Sequence, residues 1–516
     1  MKKSIFGTLL QLESVFLLIT GAVSLFHNEK DWWVFMACAA LSFVIGGITL
    51  SIGKWKARHA SEDQSKYFSR ADSFMVVTLT WVLFSLIGMI PYMMLAGMSI
   101  EDAMFEAMSG FTTTGASVIS DIDGLSHGLK FWRCITQWMG GLGIVVFTFA
   151  LVPTCEMRNN KIFSAETSGI GMDKLSPKIA TTARRLMMIY LVLTIVCALF
   201  YYAGPMNAFD AICHSFTTTA TGGFSTRTAS IAYYNSPYIE YVAAVFMFLS
   251  SLNFGMFYYA IIRRWDIIRS NEELNAFVKI VLTAVVVFVL LFNFASHASE
   301  SLHTLPMGLE EQFRSALFHV TSIISSTGYA AMKFDYVSWG DVYLIPTIML
   351  MIIGSCAGST AGGIKVVRFV VALKAIRNEF IKQLHPRAVL SVSLGGRVAE
   401  ELVFDDVTTG ASQDIKQATK MEKAMVTKYG MSEKLGTITF GSGQEEVFLG
   451  RDFTQSKNYS EETASLIDEE TKKIVDTGYN RAKQILTDNV DKLHAVAGVL
   501  LEKEKIEAEE FEEIFG

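Results

Sequence analysis

The chain has 516 residues, 51% of them hydrophobic and 18% charged, with a formal net charge of −6 and a mean hydropathy of +0.35. A composition so apolar at this length excludes an ordinary soluble globular protein and points to a polytopic membrane protein. The charge is unevenly spread: from Leu394 onward 15 Lys+Arg stand against 25 Asp+Glu, about −10, and the 29 against 25 before it leave the front at about +4.

Apolar runs long enough to cross a hydrocarbon core of about 30 Å lie near residues 5–26, 32–53, 72–98, 131–153, 182–203, 238–262, 274–296 and 341–375, eight in all, the last one interrupted. The first is long and is closely followed by a second, so it reads as a retained helix and not a signal peptide. Basic residues follow every second span: Lys54, Lys56 and Arg58, then Arg184 and Arg185 among others, then Arg263, Arg264 and Arg269, then Lys365, Arg368 and Lys374. The positive-inside rule therefore predicts that both termini are cytoplasmic. The six cysteines show no CxxC and no metal-ligand spacing, and read as small buried residues.

The opposite loops repeat. "FEAMSGFTTTGAS" (105–117), "FDAICHSFTTTATGGFST" (209–226) and "FRSALFHVTSIISSTGYA" (313–330) each run from a Phe and a charged residue, through a short helix, into hydroxyl residues and glycine. Gly115, Gly223 and Gly328 fall 108 and 105 residues apart, which indicates tandem repeats of span, re-entrant helix and span. Irregular backbone at membrane depth is tolerated only inside protein or beside water, so these loops are expected to line a pore. Thr, Ser and Gly let successive carbonyls replace the hydration shell of a cation. No carboxylate ring is present, which favours a monovalent alkali cation. The C-terminal ends of the short helices, aimed at the axis, favour a cation as well.

The eighth run, "MIIGSCAGSTAGGIKVVRF" (351–369), cannot form a good continuous helix, because interior glycines cost roughly 1 kcal/mol each. A flexible loop below the filter is a natural gate, with close helix packing through small residues as the alternative. Lys365, just after it, reads as a topology charge at the cytoplasmic mouth.

These residues carry a resemblance. Residues 1 to about 393 resemble the pore subunit of the Trk/Ktr potassium-uptake family, in its TrkH branch with two extra N-terminal spans: "TTTGAS", "TGGFST", "SSTGYA", "CAGSTAGGIKVVR" and "HPRAV" are similar to its signatures in order. The resemblance implies an all-α polytopic membrane fold in the bacterial inner membrane. It implies a potassium filter at Thr112, Thr113, Thr114 and Gly115, at Ala220, Thr221, Gly222 and Gly223, and at Ser325, Ser326, Thr327 and Gly328. It also implies a gating loop of Gly354, Ser355, Cys356, Ala357, Gly358, Ser359, Thr360, Ala361, Gly362 and Gly363, a homodimer, and a cytoplasmic nucleotide-binding regulatory subunit; no nucleic-acid partner is expected. Either Gly222 or Gly223 could match the family glycine of the second filter, and Gly223 is preferred because an aromatic follows it, as at Gly328.

The family has four repeats and this chain supplies three. The fourth filter would fall near position 435, where "MSEKLGTITFGSGQEE" has no flanking spans. In its place, "LGGRVAEELVFDDVTTGASQDIKQATKMEKAMVTKYGMSEKLG" and the sequence after it resemble the C-terminal peptidase domain of FtsH, a membrane-anchored ATP-dependent zinc metalloprotease. The two resemblances meet where both families read alike, around "HPRAVLSVSLGGRV". The expected domains are 1–70 (two spans and a basic loop), 71–180, 181–272 and 273–393 (pore repeats 1, 2 and 3, the last with the interrupted span) and 394–516 (the peptidase-like tail).

The tail reads as soluble and helical, with Ser412 able to cap a helix from Gln413 and helical apolar spacing over 460–488. The FtsH resemblance makes Asp414 a zinc ligand. The other two ligands and the general base of that family come from HExxH, and none of the nine histidines here is followed by Glu. There is no GxxxxGK[ST] loop either. Asp414 therefore reads as an unmetallated first-turn helix carboxylate, and neither zinc nor enzyme activity is expected. The function expected is potassium transport by a truncated, fused pore subunit, with an inactive metalloprotease-like anchor or an inactive fusion or assembly product as alternatives.

Overall fold

The computed structural model describes residues 2–59, 70–141, 143, 179–298, 308–331, 341–384, 394–395, 397–403, 412–440, 459–503, 506 and 508–515. Among them the fold is all-α, with two isolated β-bridges, Ile353–Ile364 and Ser432–Gly436, and no longer strand. The chain forms two compact units, Met1–Val371 and Ala372–Gly516.

The first unit opens with a hairpin of α1 (Lys2–Phe26) and α2 (Trp32–His59). These pack closely: the Ser42 hydroxyl bonds both Leu10 O, at 2.8 Å, and the Glu13 carboxylate, at 2.9 Å. Then come α3 (Arg70–Gly88), α4 (Ile90–Leu95), α5 (Ile100–Phe111), α6 (His127–Gly141), α7 (Ile179–Tyr202), α8 (Ala208–Thr219), α9 (Pro237–Ser250), α10 (Phe254–Ile261), α11 (Trp265–Ser270), α12 (Glu272–Ala298), α13 (Leu309–Ile324), α14 (Asp341–Ile352) and α15 (Val366–Leu384).

Five described helices are long and apolar enough to cross a membrane: Phe6–Phe26, Trp32–Gly53, Thr78–Leu95, Arg184–Tyr202 and Glu272–Asn293. Each falls within a run expected from the sequence or within two residues of it. The other three runs are not single described spans. Most of the second half of 131–153 lies outside the described residues; its first half is α6, which buries Arg133, Thr136 and Gln137. The run 238–262, expected as one continuous span, is two helices, α9 and α10, bent by 94°. Asn253 makes the break, its Oδ1 accepting from Gly255 N at 2.8 Å to cap α10. The eighth run is broken as expected, into α14, an irregular segment and α15.

In the second unit α16 (Ser412–Thr427), α17 (Glu461–Asp488), α18 (Val490–Lys503) and α19 (Ala508–Phe515) follow. Ser460 caps α17, its hydroxyl accepting from Thr463 N at 3.2 Å. The anticipated apolar face of α17 packs Ile474 and Tyr479 against buried Leu394 and Ala418, while Ile485, also on that pattern, is exposed. Gly436 sits in a tight turn with φ +69°, anchored where the Ser432 hydroxyl donates to Glu470 Oε2 of α17 at 2.7 Å. The region where a fourth filter would fall is thus part of a helical tail.

Candidate functional site

Three short helices, α5, α8 and α13, each end in one of the three hydroxyl-rich loops. Two carry side-chain caps at their starts: Ser99 accepts from Asp102 N, and Asn207 from Asp210 N. Their C-termini share one construction. Thr114 N bonds Ser109 O and Thr113 N bonds Gly110 O, while Gly222 N bonds Thr217 O and Thr221 N bonds Thr218 O. Both are Schellman closures, and they put the next-to-last residue in the left-handed region. The third loop makes the same inner bond, Ser326 N to Ile323 O, but its outer bond comes from Gly328 N to Ser322 O, one residue later.

The backbone angles repeat as a result. Thr113, Thr221 and Ser326 have φ of 55°, 54° and 57°, and two residues on Gly115, Gly223 and Gly328 have φ of 76°, 79° and 73°. Non-glycine residues held in the left-handed region cost of order 1 kcal/mol or more each, so three at equivalent positions mark a conformation imposed by the surroundings. Gly223, and not Gly222, occupies the position equivalent to Gly115 and Gly328.

The loops also touch in order. A Cβ on Gly115 would overlap the Gly222 carbonyl oxygen, and a Cβ on Gly223 would overlap that of Thr327. A Cβ on Gly328 would have no described atom within 4 Å. Loop one therefore abuts loop two and loop two abuts loop three, and the glycine of loop three meets no neighbour among the described residues.

Side chains outside the loops hold them in place. Gln137 of α6 donates from Nε2 to Gly222 O at 2.8 Å and accepts at Oε1 from Phe224 N at 3.0 Å. One turn earlier, fully buried Arg133 pairs with Glu106 at 2.9 Å and donates to Ser225 O at 3.0 Å and Ser117 Oγ at 3.1 Å. The Tyr329 hydroxyl bonds Thr217 and Thr218 of α8. Sequence reasoning did not single out these residues. A signal was present: Arg133 and Gln137 stand four apart within an apolar run, on one helix face, and polar groups at membrane depth face protein.

Between α5 and α6, the Asp123 carboxylate accepts from Thr228 N and Arg227. Burial pushes the Asp123 carboxyl up, but the Thr228 amide and hydroxyl and the Arg227 guanidinium outweigh it and hold it below the usual range.

The glycine-rich segment Gly354–Gly363 lies against two of the loops. Thr360 donates its hydroxyl to Thr219 O, the last residue of α8, at 3.0 Å and to Ser250 O at 3.3 Å. Gly362 N donates to Ser326 Oγ at 2.7 Å, and the Ser355 hydroxyl to Ile324 O at 2.8 Å. The break between α9 and α10 is filled by the same segment, with Cys356 N on Ser251 O and Phe254 N on Gly358 O. Glu273 of α12 accepts from Ala357 N at 2.6 Å and Val367 N at 3.2 Å, tying both ends of the segment. Gly358 and Gly363 take φ of 74° and 76°. Lys365 is no exposed topology charge: it is 4% exposed, and its amine donates back to Ala361 O and Ser359 Oγ.

Residues 40–407 match the TrkH family, described as "Cation transport protein". The chain belongs to that family. It is 34% identical over 406 residues to the Trk system potassium uptake protein TrkG of Escherichia coli K12, covering 78% of this chain and 80% of that one. It is also 34% identical to the TrkH of Halomonas elongata, over 76% of this chain and 78% of that. The crystal structure of the potassium transporter TrkH from Vibrio parahaemolyticus superposes with a TM-score of 0.62 at 31% identity, over 75% of this chain and 77% of that one. Residues 371–514 match peptidase family M41, so the two matches overlap across 371–407.

The M41 match raises the question of zinc. Asp414 lies in the first turn of α16; its side chain lies outside the described residues. The tail's single histidine from Leu394 onward, His494, is followed by Ala495, and among the described residues no group of three or more His, Cys, Asp or Glu could hold a metal. The residues present do not fit a zinc centre of the HExxH kind.

Proposed function

We propose that the chain is a potassium-selective pore subunit of the Trk type with one wall missing. The filter consists of the backbone at Thr112–Gly115, Ala220–Gly223 and Ser325–Gly328, and the gate is Gly354–Gly363. The repeats are 71–180, 181–272 and 273–393, preceded by the spans of 1–70. The observation that carries this reading is the seating order of the glycines, Gly115 on Gly222 O and Gly223 on Thr327 O, with no neighbour for Gly328 among the described residues. A cation stripped of water needs ligands around its whole circumference, and a fourth loop belongs on the flank beyond Gly328. The acidic tail, 394–516, has no apolar run that would enter the bilayer to fill it. Transport by potassium-named relatives supports the choice of ion. Both termini are cytoplasmic, the membrane is the bacterial inner membrane, and the chain assembles as a homodimer with a cytoplasmic nucleotide-binding regulatory subunit. The tail, lacking HExxH, performs no proteolysis; casein turnover with added zinc and ATP would overturn that.

The test is growth and rubidium uptake in a potassium-uptake-deficient bacterium at low potassium. The chain as it stands fails to rescue, whereas the chain extended by a fourth span, re-entrant loop and span takes up rubidium. An extended, membrane-inserted, monodisperse chain that takes up none sinks the proposal. Rescue by the unextended chain, lost on mutating Gly115 or Gly328, would show that a neighbouring subunit closes the pore.

A further inference from the structure

Seven residues before the left-handed residue of each loop stands a buried ionisable side chain: Glu106 before Thr113, His214 before Thr221 and His319 before Ser326. In the first two repeats it makes the same bond. The Ser117 hydroxyl donates to Glu106 Oε1 at 2.9 Å, and His214 Nε2 lies 2.9 Å from Ser225 Oγ, each bond spanning 11 residues of chain. Ser117 and Ser225 both stand four residues after the left-handed residue, and both hydroxyls are oriented alike by an amide two positions on. Ile119 N donates to Ser117 Oγ at 3.2 Å, and Arg227 N to Ser225 Oγ at 3.0 Å. A carboxylate and an imidazole thus occupy one place in the repeat and tie the helix entering a loop to the segment leaving it.

The His214 ring is used at both nitrogens. Its Nδ1 lies 2.8 Å from Asp210 O; a carbonyl only accepts, so in the neutral ring Nδ1 carries the hydrogen and Nε2 accepts from the Ser225 hydroxyl. The third repeat departs from the pattern for a visible reason. Its fourth residue after Ser326 is Ala330, which has no hydroxyl. His319 Nε2 lies instead 3.0 Å from Thr347 Oγ1 of α14, and Ala330 is held from the preceding repeat. Its carbonyl accepts from Ala232 N at 3.1 Å, and its amide donates to Ser230 Oγ at 3.4 Å.

We propose that Glu106 and His214 are positioning residues of the ion filter, fixing the exits of the first two loops so that the carbonyls between are held at both ends, a task that Ser230 and Ala232 perform for the third. This rests on the reading of the loops as the filter, but its test needs no conduction and so stands or falls apart from that reading. Amide hydrogen exchange of the full chain in detergent, read by mass spectrometry, measures how firmly each exit is held. His214→Asn keeps a donor for Asp210 O but is too short to reach Ser225, whereas the longer amide of His214→Gln reaches it. The asparagine variant and Ser225→Ala should each speed exchange in residues 222–229 by about fivefold or more, with α1 and α2 unchanged. His214→Gln should stay within about twofold of the unmodified chain. His319→Asn, at the equivalent place in the third repeat, should leave residues 328–331 unaltered. Should His214→Asn fail to fold, Ser225→Ala reads the same bond from its other end. An unchanged rate at 222–229 overturns the proposal, as does a glutamine variant that exchanges as fast as the asparagine one. So does acceleration spread evenly over the chain, which would mark a general packing role, or faster exchange at 328–331 in His319→Asn.

Discussion

The glycine of the first loop, Gly115, sits so close to Gly222 of the second that a single added methyl group would overlap the Gly222 carbonyl oxygen. Two residues 107 positions apart in sequence thus leave no room for a side chain between them, and φ of +76° at Gly115 independently disfavours one. Gly115→Ala and Gly223→Ala should therefore both lower the melting temperature of the detergent-solubilised chain markedly, combining strain of about 1–3 kcal/mol with displacement of a neighbouring loop. Fluorescence-detected gel filtration after heating measures this, and an unchanged melt at both positions would refute the close seating.

Gly328 predicts a different outcome, because a Cβ there meets nothing described within 4 Å. Gly328→Ser should be milder than Gly115→Ala in the same melting assay. In a chain completed by a fourth repeat, Gly328→Ser should reduce potassium over sodium selectivity, since a side chain there distorts the carbonyl cage. Rubidium uptake in competition with sodium reads this, and unchanged selectivity would count against the filter assignment.

The buried Arg133–Glu106 pair ties the segments that follow the first two loops. Removing one charge leaves the other buried without its partner, which costs about 3–5 kcal/mol. Glu106→Gln and Arg133→Met should each destabilise strongly, and the double variant should be less destabilised than the sum. Additive melting shifts in the double-mutant cycle would show that the two do not act as a pair.

Thr360 holds the glycine-rich segment to Thr219 and Ser250 through its hydroxyl, a contribution of roughly 1 kcal/mol. Thr360→Val keeps the shape and removes that tether. In a completed pore it should raise basal rubidium uptake if the segment is the gate; unchanged or lower uptake would point to a packing role.

In the tail, burial first and the Asp476 charge second push the Glu422 carboxyl from an ordinary 4.5 up to about 7, and neither of its oxygens has a hydrogen-bond partner. The folded tail therefore holds a proton that the unfolded chain releases near pH 4.5. Its stability is greatest below that pH, falls as pH rises between 4.5 and 7, and shows no further loss from this group above 7. Hydrogen exchange of α16 in the full chain should slow on Glu422→Gln at pH 8 and change little at pH 4.5. Equal effects at the two pH values would exclude the titration.

The sequence by itself determined what local chemistry encodes. Hydropathy marked the spans, and the recurrence of Thr, Ser and Gly at Gly115, Gly223 and Gly328 marked three loops of one kind, because a left-handed turn after a short helix demands those residue types wherever it occurs. The want of HExxH and of a fourth flanked loop was likewise legible. Which groups meet was decided only in three dimensions. Gln137 reaches Gly222, Thr360 reaches Thr219 and Glu273 reaches Ala357, each across more than 80 residues of chain. Nothing in composition or period specifies such partners. The break at Asn253 stayed hidden inside an apolar run because its freed backbone groups are satisfied by Cys356 and Gly358, and Lys365 looked like a surface charge because its acceptors exist only once the segment folds back on itself. Hydrophobic pattern selects the elements; the need to satisfy every buried backbone group selects how they close on one another.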